Sequence, residues 1–210
     1  MSASQSQGQL CIWTDTDPDP VQEADFNAWY DREHMQERVA IPGFRYARRF
    51  KATDGGPRRY LALYVTKSLD VFRTDAYQHA FTRQTPWSLA NFARMTDTQR
   101  RVGELTLETG DGEGAFLALI VLPPERVEAA LLRPRFEAGL GQAGIHAARL
   151  FCTAPALSVS LTASKEPALP AADALVLIEG SDPDATRALA ETLAEGAEVR
   201  TFQMLWRISA

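Results

Sequence analysis

The sequence predicts an α+β protein built from two tandem β-α-β-β-α-β repeats, and three observations carry that expectation. Short runs rich in β-branched and aromatic residues alternate with longer segments of helical character, and the order β-α-β-β-α-β occurs twice. The stretches "PGFRYARRF" and "AGIHAARLF" align without a gap at an offset of 101, matching Gly43 with Gly144, Ala47 with Ala148, Arg48 with Arg149 and Phe50 with Phe151. A polar, glycine-rich link, "ETGDGEG" at residues 108–114, has the composition of a domain joint. The first repeat is therefore placed at 9–107 and the second at 114–210.

In the first repeat, "QLCIWTD" has the length and residue types of a buried strand over 9–15, and "DPDP" stops it. Asp19 followed by Pro20 reads as an N-cap with proline at the first helical position, with Glu23 and Asp25 favoured by the helix dipole. That helix should run from Pro20 to Ala40, where "IPGF" ends it. "GFRYARRFKA" and "RRYLALYVT" alternate as strands around a "DGGP" turn and should form a hairpin. "DAYQHAFTRQ" and "PWSLANFARM" read as helix, and "TQRRVGELTL" as the fourth strand.

The second repeat follows the same plan, with strands "AFLALIVLP", "IHAARLFCT", "DALVLIEG" and "EVRTFQMLWRIS" and helices within "PERVEAALLRPRFEAGLGQAG" and "PDATRALAETLAEGA". Between its second and third strands, the segment 153–172 is rich in proline, serine and alanine and reads as a mobile surface excursion.

Composition restricts the function classes. A chain of 210 residues with 45% hydrophobic content can bury one large core or two small ones. A net charge of -5 leaves no basic field for phosphates, so nucleic acid is not an expected partner. Cys11 and Cys152 lie in separate apolar runs and read as free thiols in a reducing cytoplasm. Residues 1–8 are polar, without the plan of a signal peptide, and no apolar stretch reaches the roughly 20 residues of a membrane span. No membrane partner is expected.

A β-α-β-β-α-β unit makes a four-stranded antiparallel sheet with both helices on one face, so its other face must be covered. Two such sheets can cover each other within one chain. Here "W-Y-x-x-E-H", "I-P-G-F-x-x-A-R-R-F" and "R-Y-L-A-L-Y" resemble the dimeric α+β barrel superfamily, in particular EthD-like proteins and related uncharacterised families, most clearly over residues 10–105. The resemblance implies two ferredoxin-like repeats forming an intrachain barrel, with a ligand cleft between the sheet and the first helix of each half. It also implies a spread of activities, among them cofactor-free monooxygenases, isomerases, polyketide cyclases and decarboxylases, between which the fold does not choose.

Asymmetry between the halves points to the site. Fourteen of 19 aromatic residues, including all five tyrosines, precede residue 106. The repeat alignment sets His34 opposite Arg135, so the second half lacks the histidine. His34 is the first candidate for proton transfer near neutral pH. Regular helical spacing gives its face to Tyr30, Asp31 and Arg38, which makes Asp31 or Tyr30 the expected orienting partner and turns Glu33 away. His34, Asp31 and Tyr30 are the catalytic candidates. Trp29, Tyr46, Tyr64 and Trp87 are the substrate-binding candidates, the strand tyrosines as phenol donors and Trp87 as a lid. Each has a plainer reading: Trp29, with Phe26 and Tyr30, as core, the tyrosines as cross-strand packing, and His34 as a boundary residue favoured by the helix dipole. Arg45, Arg48 and Arg49 could hold an anion, although the recurrence of Arg48 as Arg149 suggests a shared structural ion pair. His79 is a weaker second proton carrier.

Other chemistries lack their residues. His34, His79 and His146 have no metal-ligand spacing, and "GDGEG" lacks the lysine and strand-to-helix context of a phosphate loop. No metal and no cofactor are expected, with haem at an axial His34 as the one open variant. Three classes remain: a cofactor-independent enzyme acting on a small apolar or aromatic carbonyl or phenolic compound, a carrier using the same cavity, and an oligomerisation module without one. Whether two chains pair through a sheet edge or helix face is left open.

Overall fold

Eight antiparallel strands close into one barrel, in the order β1-β3-β2-β8-β5-β7-β6-β4, in a computed structural model that describes residues 6–159 and 172–210. The elements are β1 (Gly8–Asp15), α1 (Pro20–Trp29), a π-turn (Tyr30–His34), α2 (Met35–Val39), β2 (Phe44–Ala52), β3 (Tyr60–Thr66), α3 (Asp75–Thr82), α4 (Pro86–Arg94) and β4 (Thr96–Gly110). They continue with β5 (Phe116–Leu122), α5 (Ala129–Leu140), β6 (Ile145–Thr153), the short α6 (Pro155–Ser158), β7 (Ala174–Gly180), α7 (Pro183–Ala194) and β8 (Val199–Ser209).

Local chemistry sets these boundaries. Asp19 Oδ1 accepts from the amides of Val21 and Gln22 at the start of α1, Thr85 Oγ1 from Ser88 N at α4, and Asp182 Oδ1 from Asp184 and Ala185 at α7. In each, proline occupies the first turn, where its missing N–H costs nothing. Gly43 ends the first helical path at φ +99°, a conformation that penalises a side chain. The predicted single helix over 20–40 departs from regularity at the π-turn, where Met35 N donates to Tyr30 O, five residues back.

The halves join through two strand pairs, β2 with β8 and β4 with β6, and every strand has a neighbour on both sides. No free sheet edge remains for a second chain among the described residues. Strand side chains alternate between the barrel interior and the outer layer. The interior is filled by Cys11, Trp13, Phe50, Leu61, Leu63, Leu117, Leu119, Phe151, Leu175, Leu177 and Phe202. At one end it holds Glu179, fully buried, which accepts two hydrogen bonds from Arg48 (2.5 and 3.0 Å) and one from Arg149 (2.6 Å). The paired arginines expected from the repeat thus converge on one carboxylate, and Cys11 and Cys152 are both free thiols.

Two outer layers lie between the sheet and the helices. The first, under α1 to α4, contains eight buried aromatic residues, among them Phe26, Trp29, Tyr30 and Tyr64. The second, under α5 and α7, is aliphatic apart from Phe136. Most of the excursion expected at 153–172 lies outside the described residues. Its first turn is anchored: Ser158 is buried, and its Oγ accepts from Val102 N at 2.9 Å.

Candidate functional site

His34 lies in the aromatic layer, 6% exposed, and four rings surround it. Trp29 stacks on it at 4.3 Å between centroids and 34°, while Tyr30 (5.2 Å), Phe92 of α4 (5.6 Å) and Tyr64 of β3 (6.2 Å) stand nearly perpendicular. Its Nδ1 is buried without a hydrogen-bond partner. Burial first, then the charges of Arg38 and Arg49, hold the imidazole well below its ordinary pKa, so it is neutral at pH 7, with a free lone pair and a weakened affinity for a proton.

Tyr64 Oη is also buried without a partner. Tyr30 lies close to it, but the two hydroxyls do not meet in hydrogen-bond geometry, and burial raises both phenol pKa values. Arg38, one regular turn beyond His34, is 2% exposed; its Nη1 donates to Ala80 O at 3.2 Å, its guanidinium lies over Phe81 at 4.8 Å, and Nη2 has no partner. Arg49 sits 4.0 Å from the Tyr30 ring and donates from Nη2 to Asn27 Oδ1 at 2.9 Å, with Nε unpartnered. The π-turn carries both Tyr30 and His34, and such turns are frequent at functional sites.

The expected partnership of Asp31 with His34 is not formed. Asp31 is half-exposed; it accepts from Trp206 Nε1 at 2.8 Å and lies 3.5 Å from Arg49 Nη1. The i−3 rule assumes a regular α-helix, and the wider π-turn rotates Asp31 off the histidine's face. Tyr46 is likewise displaced. The register shifts between Phe44 and Tyr46, which turns the Tyr46 ring to the interior side, 4.4 Å from the Arg207 guanidinium, with a pKa pushed up to about 12 chiefly by burial.

Trp87 does not touch His34; its Nε1 donates to Asp25 Oδ1 at 3.0 Å, which pins α4 to α1. Trp29 Nε1 donates to Ser88 Oγ at 3.0 Å, and Ser88 Oγ and Thr85 Oγ1 both donate to Glu33. Phe92, Ser88 and Thr85 escaped sequence reading because their partners lie more than 50 positions away; the one local signal was the Thr85–Pro86 cap.

On the other flank of Tyr30 a cleft of about 330 Å³ opens to the surface, lined by Asn27, Asp31, Arg49, Tyr60 and Trp206 among others. His34 does not line it. His79 and His146 are exposed. Among the described residues no group of three metal-ligating side chains converges, and no helix is long and apolar enough to cross a membrane.

No protein-family model and no curated protein sequence matches the chain. Solved structures match over its full length. An anthrone oxidase-like protein superposes with a TM-score of 0.65 at 12% identity, covering 99% of this chain and 94% of its own. A "putative monooxygenase" from Lactobacillus acidophilus NCFM gives 0.60 at 7% identity, covering 98% and 97%. A mutant chlorite dismutase from Candidatus Nitrospira defluvii, in complex with cyanide, gives 0.55 at 8%, covering 96% and 92%. The chain has the fold of these proteins, a closed eight-stranded α+β barrel. At such identities the likeness concerns the fold alone.

Proposed function

We propose that this chain is a small cofactor-independent enzyme that acts on an apolar or aromatic carbonyl or phenolic compound, with His34 as proton acceptor. The observation that carries this reading is one cluster: a buried neutral imidazole with an unpartnered Nδ1, beside the unpartnered Tyr64 Oη and Arg38 Nη2. Buried polar groups are nearly always satisfied, so three orphans in one layer support a ligand that satisfies them. The base removes a proton from a phenol or an activated carbon, and the charge that develops on oxygen falls near two guanidinium groups and a phenol. The names of two fold neighbours, an anthrone oxidase-like protein and a "putative monooxygenase", agree with oxidation of such an anion by dioxygen.

In this reading the site belongs to the first of two tandem ferredoxin-like repeats, 9–107 and 114–210, within an EthD-like line of cytoplasmic proteins. The strand orders β4-β1-β3-β2 and β8-β5-β7-β6 correspond position by position and support the duplication. The aliphatic second layer supports loss of the site from the other half.

The test is a panel of phenolic and β-keto acid compounds, incubated under air and under nitrogen with the native protein and His34→Gln. One compound is converted by the native protein, and the substitution lowers kcat by roughly 10²–10⁴-fold with folding intact. Absence of product from every compound under both gases refutes the reading. The near-complete enclosure of His34 by rings favours one second reading, a carrier, which retains its ligand without turnover and tolerates His34→Gln.

A further inference from the structure

The proposed site reveals the charge of its ligand. Buried arginines elsewhere in the molecule meet carboxylates: Arg48 with Glu179 at 2.5 Å and Arg200 with Asp54 at 2.8 Å. Arg38 is as deeply buried as Arg48, yet no carboxylate of the described residues lies within ion-pair distance, and a single carbonyl takes one of its five N–H groups. Arg49 has one neutral amide and a half-exposed Asp31 at 3.5 Å. Arg100, 5.8 Å from the Phe81 ring centroid, bonds carbonyls and the Tyr77 hydroxyl, with no carboxylate partner among the described residues. A desolvated cation without a counterion is costly, so among the described residues the layer is electrostatically incomplete.

The unpartnered atoms say what completes it. Arg38 Nη2 and Arg49 Nε only donate and Tyr64 Oη can donate, so apart from a group facing His34 Nδ1 the missing partner is chiefly an acceptor. Trp29, Phe81 and Phe92 belong to the same apolar aromatic layer. Resting on the assignment of the His34 cluster as a ligand site, we infer that its ligand is an organic anion, a small aromatic or apolar carboxylate held by Arg38 with Tyr64, rather than a neutral carbonyl compound.

The experiment compares benzoate, phenylacetate, 2-naphthoate and 1-hydroxy-2-naphthoate with their neutral amides, by thermal shift and tryptophan fluorescence at fixed ionic strength. At least one acid binds ten-fold or more tightly than its amide. Arg38→Met removes that preference, lowering acid affinity ten-fold or more toward that of the amide. Acid and amide binding equally overturns the charge assignment and leaves the site assignment standing. If neither acids nor amides bind at millimolar concentration, both assignments fall. The acid-to-amide ratio of the native protein decides the matter even if Arg38→Met does not fold, and Arg38→Lys, which keeps the charge, then serves as the variant.

Discussion

Replacing Tyr64 by phenylalanine should make the ligand-free protein more stable while spoiling its site. Tyr64 is 1% exposed, its hydroxyl has no partner, and its ring packs on His34 at 6.2 Å and Phe44 at 6.5 Å. The substitution keeps every ring contact and removes only the desolvated oxygen. An unsatisfied buried hydroxyl costs about 1–3 kcal/mol, so the variant recovers that amount. For a chain of this length, each kcal/mol moves the melting temperature by roughly 2–4 °C, which gives a rise of about 2–12 °C. Calorimetry, with urea titration to check that the m-value is unchanged, measures it. Carboxylate binding by the same variant falls, because the phenol donor is gone. A lower melting temperature in Tyr64→Phe would refute the reasoning, since it would mean that the hydroxyl is satisfied within the folded chain and that nothing is missing from the layer.

Two further outcomes follow from the same structure. The His34 imidazole has a folded-state pKa below its unfolded value, so below about pH 6.5 the unfolded chain takes up a proton that the native chain refuses. Stability is therefore lost as pH falls through that range, by up to about 1.4 kcal/mol per pH unit, and His34→Phe flattens the slope; identical pH profiles of the two proteins in urea titrations would contradict this. Glu179→Gln leaves Arg48 and Arg149 facing a neutral amide in the barrel interior and should cost about 3–5 kcal/mol, with unfolding followed by circular dichroism. Replacing all three residues by apolar ones of similar volume restores most of that loss, whereas a loss below 1 kcal/mol for the single change would show the cluster to be hydrated.

Sequence alone determined the elements and their order, because caps, proline-glycine breaks and alternation act over a few residues: Asp19, Thr85 and Asp182 start helices wherever the chain later goes. It also marked the aromatic half and His34, since composition is independent of conformation. What it left undecided were directions. Strict alternation groups Tyr46 with Phe44, and one irregularity of register sends it to the other side of the sheet. Regular helical spacing gives Asp31 to His34, and one π-turn gives it to Trp206 instead. Helical spacing sets Arg38 on the face of His34, but only α3, closing over it, buries it, and Arg48 and Arg149 share Glu179 only because the barrel closes. Such phase shifts are set by packing between segments distant in sequence, so only the tertiary structure decides which polar atoms are buried together without partners.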